Sequence, residues 1–215
     1  MKEDRIAVFL EALETGEKAY LEEIEEQALK DYVPIIRKST QSFLKVLLQI
    51  KQPKNILEIG TAVGFSSLLM SEYAKEAKIT TIENYEKRIP IALDNIKKAG
   101  KEDRITLIPK DAAVALKELE GPFDFIFLDG AKAQYIHYLD DLLRLMEEGA
   151  LLVTDNVLQD GEVIESRYSI RRRDRTIHAR MREYLYEIKH NKNLLTSINP
   201  VGDGVSVSVY RSEDE

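Results

Sequence analysis

The chain of 215 residues contains no cysteine and no tryptophan. Without cysteine it can form neither a disulfide nor a reactive or metal-binding thiolate, and we therefore expect a cytoplasmic protein. No apolar run approaches the ~20 residues that a membrane-spanning helix needs, so we expect no membrane association. The first twenty residues are charged and helical in pattern, which argues against a secretory signal peptide.

Excess positive charge is also absent, except in one place. The net charge is −7, which argues against a surface that is basic throughout. Residues 1–31 hold ten acids and four bases, whereas residues 167–192 hold nine Lys or Arg and three Asp or Glu. The second segment therefore carries +6 (nine minus three), and the rest of the chain is near −13. This asymmetry predicts a local anionic partner.

The order of apolar patterns predicts an α/β fold. Three segments with helical spacing come first, at 3–15, 17–32 and 37–50. Short apolar runs then alternate with helical segments, which predicts right-handed βαβ units and a mostly parallel sheet covered on both faces. A helix over about 171–189 follows, and LLTSINP and VSVSVY close the chain as a hairpin around Val-Gly-Asp-Gly. We predict one domain, 1–215, whose residues 1–50 form a helical extension.

The first strand, KNILEIG, runs into a glycine-containing turn, TAVGFSS. Gly60 and Gly64 let the backbone turn tightly and approach a ligand at a helix N-terminus. The spacing is Gly-x-x-x-Gly, which departs from the dinucleotide fingerprint Gly-x-Gly-x-x-Gly. The turn therefore favours a nucleoside without a pyrophosphate.

Two acids after the next strands fit the same ligand. Glu83 ends the second strand, where an acid can accept hydrogen bonds from both ribose hydroxyls; the alternative is a solvated position before the next helix. Asp111 follows the third strand and could meet an adenine amine, or it could simply cap the helix that begins at Ala112.

The fourth and fifth strands, FDFIFLD and ALLVTD, also end in polar side chains. Asp129 ends the fourth, and Asp155 and Asn156 end the fifth. Each residue type is common in turns. Adjacent parallel strands, however, would bring two carboxylates and an amide to one crevice, where like charges repel unless a cation lies between them. Oxygen ligands of this kind suit Mg²⁺ or Mn²⁺.

Lys132 lies three residues after Asp129, in DGAK. A solvated lysine at the start of a helix is the more common situation. A cation at a helix N-terminus is unfavourable with respect to the helix dipole, and a neighbouring metal ion would disfavour its charge further. Both effects would make Lys132 a usable general base.

LEIGTAVGFSS, TIEN, FIFLDGAK and LLVTDN together resemble the class I, S-adenosylmethionine-dependent O-methyltransferases of the catechol O-methyltransferase type. The resemblance implies a Rossmann-like, doubly wound, seven-stranded sheet with an antiparallel C-terminal strand, and a homodimer. It implies a general base at Lys132, assisted by Asp129, and a metal held by Asp129, Asp155 and Asn156. The cofactor contacts that it implies are Ile36, Gly60, Ser66, Glu83, Asp111 and Asp129.

The basic segment bears on the acceptor. A charge run is usually the solvated face of an amphipathic helix. Arginine clusters in an acidic protein also fit phosphate contacts, which a small catechol does not require; the candidates are Arg171, Arg172, Arg173 and Arg175. The motifs VPII, KQPKNILEIGTAVGFS and NPVGDG are similar to the bacterial subgroup that methylates wobble 5-hydroxyuridine in the anticodon of tRNA. The alternatives are a methyltransferase of small catechols or caffeoyl-type esters, and a noncatalytic nucleic-acid-binding module.

Overall fold

A computed structural model describes residues 2–212. Three helices come first: α1 (Lys2–Glu11), α2 (Ala19–Lys30) and α3 (Lys38–Lys51). Strands and helices then alternate as β1 (Asn55–Ile59), α4 (Phe65–Tyr73), β2 (Lys78–Ile82), α5 (Ile89–Lys98), β3 (Ile105–Ile108), α6 (Ala112–Glu118), β4 (Phe123–Leu128), α7 (Tyr135–Leu145) and β5 (Met146–Thr154). The chain continues with α8 (Arg175–His190), β6 (Leu194–Asn199) and β7 (Val205–Tyr210).

The seven strands form one sheet in the order β3-β2-β1-β4-β5-β7-β6. The pairs from β3 to β5 are parallel, and β7 runs antiparallel to both β5 and β6. This confirms the predicted doubly wound sheet with an antiparallel C-terminal strand. Because β7 inserts between β5 and β6, the hairpin loop at 200–204 returns to the end of the sheet at which β5 stops.

The sheet is buried on both faces, as a parallel sheet requires. One apolar cluster packs α2, α3, α4 and α5 against one face, and the other packs α6, α7 and α8 against the opposite face. All six residues of the central strand β4 are buried. Its Asp124 accepts hydrogen bonds from the backbone N–H groups of Lys54 (2.7 Å) and Asn55 (2.9 Å), which fastens the start of β1 to β4.

Helix α5 begins at Ile89 and carries Pro90 in its first turn, where the missing N–H of proline costs no helical hydrogen bond. One predicted helix start lies too early in the chain. Helix α8 begins at Arg175 and not at 171, and residues 172–174 form a turn. Successive arginines at a helix N-terminus would oppose the helix dipole, which accounts for the later start.

Among residues 2–212, none of the helices has both the length and the apolar character needed to cross a bilayer.

Candidate functional site

Backbone hydrogen bonds continue the parallel ladder one residue beyond the strands. In each case the first residue after a strand donates its N–H to the last carbonyl of the neighbouring strand. The bonds are Glu83 N to Ile108 O (3.2 Å), Gly60 N to Ile82 O (3.0 Å), Asp129 N to Ile59 O (2.9 Å) and Asp155 N to Leu128 O (3.1 Å). The side chains that follow β2, β4 and β5 are therefore held at one edge of the sheet, where open α/β sheets bind ligands.

A cavity of about 680 Å³ opens at this edge. Its volume suits a small-molecule ligand or cofactor. Its lining includes eight residues that the sequence had singled out: Ile36, Gly60, Ser66, Glu83, Asp111, Asp129, Lys132 and Asn156. Asp155 is buried directly behind Asn156, at 2% exposure. The structure therefore brings the predicted cofactor, metal and base positions together.

Gly60 is required by backbone geometry. Its φ is +105°, and a Cβ atom built on it would lie 2.1 Å from the carbonyl oxygen of Asp129. A side chain at this position would therefore push β1 and β4 apart at the point where the polar residues meet. Gly60 is thus needed for the close approach of β1 and β4, in addition to any role in binding a ligand.

Glu83 is engaged on both of its carboxylate oxygens. Oε2 accepts the N–H of Ala62 (2.8 Å), and Oε1 accepts those of Asn84 (3.0 Å) and Tyr85 (2.9 Å). The side chain thereby joins the turn after β1 to the turn after β2. A carboxylate has about four acceptor positions, so one remains free on Oε2.

Asp111 caps α6, as the alternative interpretation held. Its Oδ1 accepts the N–H of Ala113 (2.9 Å), and its Oδ2 accepts the side-chain amide of Asn84 (3.2 Å). Ile36 is buried, and its carbonyl accepts the side-chain amide of Gln41 at 3.0 Å. Asp111 and Ile36 both line the cavity, which stays open with these hydrogen bonds formed.

Of the acids after β4 and β5, Asp155 is buried, and Asp129 is half-buried in the lining of the cavity. Burial raises the pKa of Asp129 to about 7, and the charges of Asp155 and Glu58 add to the shift. Burial likewise raises the pKa of Asp155 to about 6. The side-chain amide of Asn156 donates to Asp129 Oδ1 at 2.8 Å, and the Asn156 N–H donates to Asp155 Oδ1 at 2.8 Å. The three side chains thus form one connected polar group.

Within residues 2–212, no three His, Cys, Asp or Glu side chains are arranged to hold a metal ion. The predicted set differs in that its third member, Asn156, is an amide. Asp129 and Asp155 have pKa values that neighbouring negative charge helps to raise, and both carboxylates would gain from a cation between them. The donor chemistry of Asp129, Asp155 and Asn156 therefore fits a hard divalent cation.

Lys132 contacts a residue that the sequence reasoning missed. Its ammonium lies 3.2 Å from Oδ2 of Asp203, which is 4% exposed. Asp203 belongs to the loop between β6 and β7, for which the sequence pattern predicts only a hairpin turn. Its Oδ1 accepts the backbone N–H of Asp160, and its carbonyl accepts that of Leu158 (2.9 Å). An acid between two glycines, just before β7, marks an unusual loop, but this local signal does not show that Asp203 reaches Lys132.

The glycines on either side of Asp203 explain how it enters the site. Both have positive φ, +59° at Gly202 and +85° at Gly204. A Cβ on Gly202 would lie 2.5 Å from Thr40 Oγ1, and one on Gly204 would lie 2.3 Å from Leu158 Cγ. Only a loop without these side chains can pack so closely that its carboxylate reaches Lys132.

The arginines of the basic segment lie outside the cavity lining. Arg171, Arg172 and Arg173 are exposed in and beside the turn that precedes α8. Arg175, which was predicted with them, is partly buried and donates through Nε to the carbonyl of Ile170 at 3.1 Å. Arg175 therefore holds the turn in place, and the exposed cluster consists of the other three.

Helix α8 is attached to the cavity by two further arginines. Arg180 donates to the carbonyl of Ala133 at 3.1 Å, next to Lys132. Arg182 donates to the carbonyl of Val163 at 2.9 Å, in the 3-10 segment that follows Asn156. The exposed turn before α8 is thus connected to the rim of the cavity through short, bonded segments.

Comparisons with known proteins agree with this architecture. A family model described as O-methyltransferase matches residues 11–211. The chain is 38% identical over 128 residues to the catechol O-methyltransferase of Niastella koreensis (57% of this chain, 58% of that protein). It is 34% identical over 159 residues to the caffeoyl-CoA O-methyltransferase of Populus kitakamiensis (69% of this chain, 67% of that protein). The structure of the SAH-bound Podospora anserina methyltransferase PaMTH1 matches with a TM-score of 0.88 at 27% identity, covering 98% of this chain and 96% of that one.

The raised pKa of Asp129 leads to a prediction about stability. Aspartate has an ordinary pKa of 3.8, against about 7 here, so the fold favours the protonated form. The cost of the buried charge is absent below pH ~4 and grows as the pH rises to 7. We expect Asp129→Asn to raise the free energy of unfolding by up to ~4 kcal/mol at pH 8, and by less than half of that at pH 5, since one pKa unit is worth about 1.4 kcal/mol.

Urea denaturation in the presence of a chelator, at pH 5 and pH 8, measures this difference. Asp94→Asn is the matched control, because Asp94 is exposed and pairs with exposed Lys98 at 2.8 Å; its effect should stay within about 0.5 kcal/mol at both pH values. If Asp129→Asn changed the free energy of unfolding equally at both pH values, ionisation of the Asp129 carboxyl group would not destabilise the fold.

Proposed function

Because the chain belongs to the O-methyltransferase family, we propose that it methylates the 5-hydroxyl of wobble 5-hydroxyuridine in tRNA, giving 5-methoxyuridine. S-adenosylmethionine would be the methyl donor, and Mg²⁺ or Mn²⁺ the second cofactor. The observation that carries the choice of acceptor is the exposed cluster Arg171–Arg173 just before α8, in a chain of net charge −7. Guanidinium groups bind phosphates well, and an anticodon loop supplies phosphates on both sides of its acceptor base.

The cavity supports a nucleoside cofactor of this kind. Ile36, Gly60, Ser66 and Asp111 line it, and Glu83 stands between the two turns with an acceptor position free. Ribose hydroxyls would donate to that position. The 680 Å³ of the cavity leaves room for an acceptor beside the cofactor.

Glu83 offers a test of the cofactor assignment. Loss of a charge-assisted hydrogen bond costs roughly 1.5–3 kcal/mol, or about 10- to 150-fold in affinity. We therefore expect Glu83→Gln to weaken the binding of S-adenosylhomocysteine by about that factor in a calorimetric titration. Glu86→Gln, on an exposed neighbour, is the control and should bind like the parent. Unchanged affinity in Glu83→Gln would limit Glu83 to joining the two turns.

The remaining residues support a proton transfer followed by methyl transfer. Asp129, Asp155 and Asn156 would hold the cation, which supplies a lowered pKa at the acceptor hydroxyl. Lys132 would take the hydroxyl proton on Nζ, and the carboxylate of Asp203, 3.2 Å away, would stabilise the charge that results. Bound S-adenosylmethionine would supply the methyl group to the acceptor oxygen and would keep the electrons of the broken C–S bond on its sulfur. Holding the two reactants in line would provide most of the acceleration.

The pair Lys132 and Asp203 can be tested by a double-mutant cycle. A positioned base contributes about 10²- to 10⁴-fold, so Lys132→Ala should lower kcat by that amount. Asp203→Asn should lower kcat by roughly tenfold and leave the KM for the cofactor unchanged, and Asp203→Glu should recover part of the loss. If Asp203 acts through Lys132, the double variant is no slower than Lys132→Ala. If the double variant instead loses the product of the two single effects on kcat, and Asp203→Asn also lowers the melting temperature, then Asp203 serves only to stabilise the loop.

A small phenolic acceptor is the second candidate. The relatives named above are a catechol and a caffeoyl-CoA O-methyltransferase, and both names describe acceptors with adjacent oxygens. A metal held by Asp129, Asp155 and Asn156 would suit adjacent oxygens in a catechol as well as in 5-hydroxyuridine. The cavity alone favours neither acceptor. The exposed arginines favour the acceptor that carries several phosphates.

The deciding experiment incubates the protein with methyl-labelled S-adenosylmethionine and three acceptors in parallel. These are tRNA containing 5-hydroxyuridine, a free catechol and caffeoyl-CoA, and mass spectrometry identifies the products. We expect labelled 5-methoxyuridine as the fastest product. Chelation of divalent cations should abolish it, as should Asp155→Ala. Faster methylation of either small phenol than of tRNA would replace the tRNA proposal with the small-molecule one, and undiminished activity in chelator would refute the metal.

Replacing Arg171, Arg172 and Arg173 by Ala completes that experiment. Affinity for tRNA falls with salt by roughly 0.7–0.9 log units per log unit of salt for each phosphate neutralised, so the variant should show a flatter slope and a higher KM for tRNA. Any activity on a free catechol should match the parent, because the cavity is unchanged. Equal slopes for parent and variant would mean that the cluster is only a solvated surface.

A further inference from the structure

Tyr168 is displayed at the tip of a tight turn. The turn spans 166–169, closed by a hydrogen bond from Ser169 N to Ser166 O at 2.8 Å. Tyr168 is 89% exposed, and its own N–H faces Ser166 Oγ at 3.4 Å. Ile164, just before the turn, is 78% exposed. A single exposed aromatic residue needs no explanation, but this one has an unusual support and an unusual charge environment.

The support comes from α8, which binds the chain on both sides of the turn. Nε2 of the buried His178 lies 3.1 Å from the carbonyl of Glu165, on the entry side. Arg175 Nε donates to the carbonyl of Ile170 on the exit side, and Ile170 is itself 4% exposed. Two side chains and one buried anchor thus fix four residues that carry an exposed ring. A ring fixed in this way loses little conformational freedom when it binds a partner.

The charge around the ring is positive. Arg167 precedes Tyr168, and Arg171, Arg172 and Arg173 follow it, all of them exposed. Asp174 lies near Arg171 (2.9 Å) and Arg173 (3.5 Å) and partly neutralises both. Among residues 2–212, Arg167 and Arg172 take part in no ion pair. On the entry side, Glu165 lies next to the turn, and Glu162 and Asp160 lie further back along the chain.

An aromatic ring between free guanidinium groups matches the chemistry of single-stranded nucleic acid. Every nucleobase has a π face that can stack on a tyrosine, and each base is flanked by phosphates. The turn and the Lys132 segment are both attached to α8, the turn through His178 and Arg175 and the Lys132 segment through the bond from Arg180 to the carbonyl of Ala133. A base that stacks on Tyr168 and a base in the cavity would thus both contact segments that α8 supports.

We propose that the turn 166–169 is a nucleotide-binding platform, in which Tyr168 stacks on a loop nucleobase near the acceptor while Arg167 and Arg172 contact the adjoining phosphates. This inference rests on the proposed function, since it assumes an RNA acceptor. The basic segment then has two kinds of residue: Arg175 and His178 support the turn, and the exposed Arg167, Tyr168 and Arg172 bind RNA. It also predicts that affinity depends on an uncharged ring as well as on charge.

The chain has no tryptophan, so Tyr168→Trp introduces a single fluorescent indole at the platform. An RNA hairpin with 5-hydroxyuridine in its loop is the probe. Stacking should quench the indole on saturation, with affinity close to that of the parent. Tyr186→Trp is the matched control, because Tyr186 is 60% exposed on α8, the helix that supports the turn, but stacks on His190 with ring centroids 4.0 Å apart. Its fluorescence should not respond.

Kinetics provide the second measurement. Stacking on one base is worth roughly 5- to 150-fold in affinity, so Tyr168→Ala should raise the KM for tRNA by about that factor with little change in kcat. Tyr168→Phe should behave like the parent, because stacking needs the ring and not the hydroxyl. Tyr186→Ala should leave the KM unchanged.

The outcomes separate the platform from the proposed function. If the parent methylates tRNA but Tyr168→Ala has the parental KM and the indole is not quenched, the platform is refuted and the function stands. If the indole is quenched by RNA although no 5-methoxyuridine forms, the platform stands and the proposed acceptor is refuted. Quenching by caffeoyl-CoA but not by RNA would overturn the platform as an RNA site.

Discussion

The parallel register of β2, β1, β4 and β5 is the constraint on which the site depends. The first residue after each of these strands donates its N–H to the last carbonyl of a neighbouring strand, so the hydrogen-bond ladder continues into the turns. Glu83, Asp129 and Asp155 are thereby held at one edge, at positions decided by backbone hydrogen bonds and not by side-chain contacts. The close approach at Gly60 makes the register strict, because no Cβ fits against the carbonyl of Asp129. Burial then raises the pKa of both aspartates, which makes the edge receptive to a cation.

The antiparallel end of the sheet has a different role. With β7 placed between β5 and β6, the loop 200–204 folds back over the carboxyl end of β5. Its glycines permit a close contact with Thr40 and Leu158, and Asp203 thereby becomes the partner of Lys132. The acids that surround Lys132 thus come from both halves of the sheet. Charge balance in the site depends on a contact between residues 71 positions apart.

Helix α8 connects the site to the exposed basic turn. Its buried face, with Met181, Tyr184 and Ile188, belongs to the core cluster on one side of the sheet. Its polar side chains bind the carbonyls of neighbouring segments: Arg180 at the Lys132 turn, Arg182 at the 3-10 segment, and His178 and Arg175 around the turn at 166–169. Much of the basic character of this segment is therefore structural. The residues left for a partner are the exposed ones, and they are displayed on a supported surface.

The sequence by itself determined the alternation of strands and helices, the acids at the strand ends and the antiparallel close, because apolar periodicity and strand-end residues are local signals. It could not show that Arg175 supports a turn while Arg172 is exposed, since both are arginines in one charged run. It also could not identify Asp203, because the contact with Lys132 depends on which strand β7 pairs with. Tertiary structure decided these points: long-range pairing and packing determine which charges meet, and no local pattern encodes them.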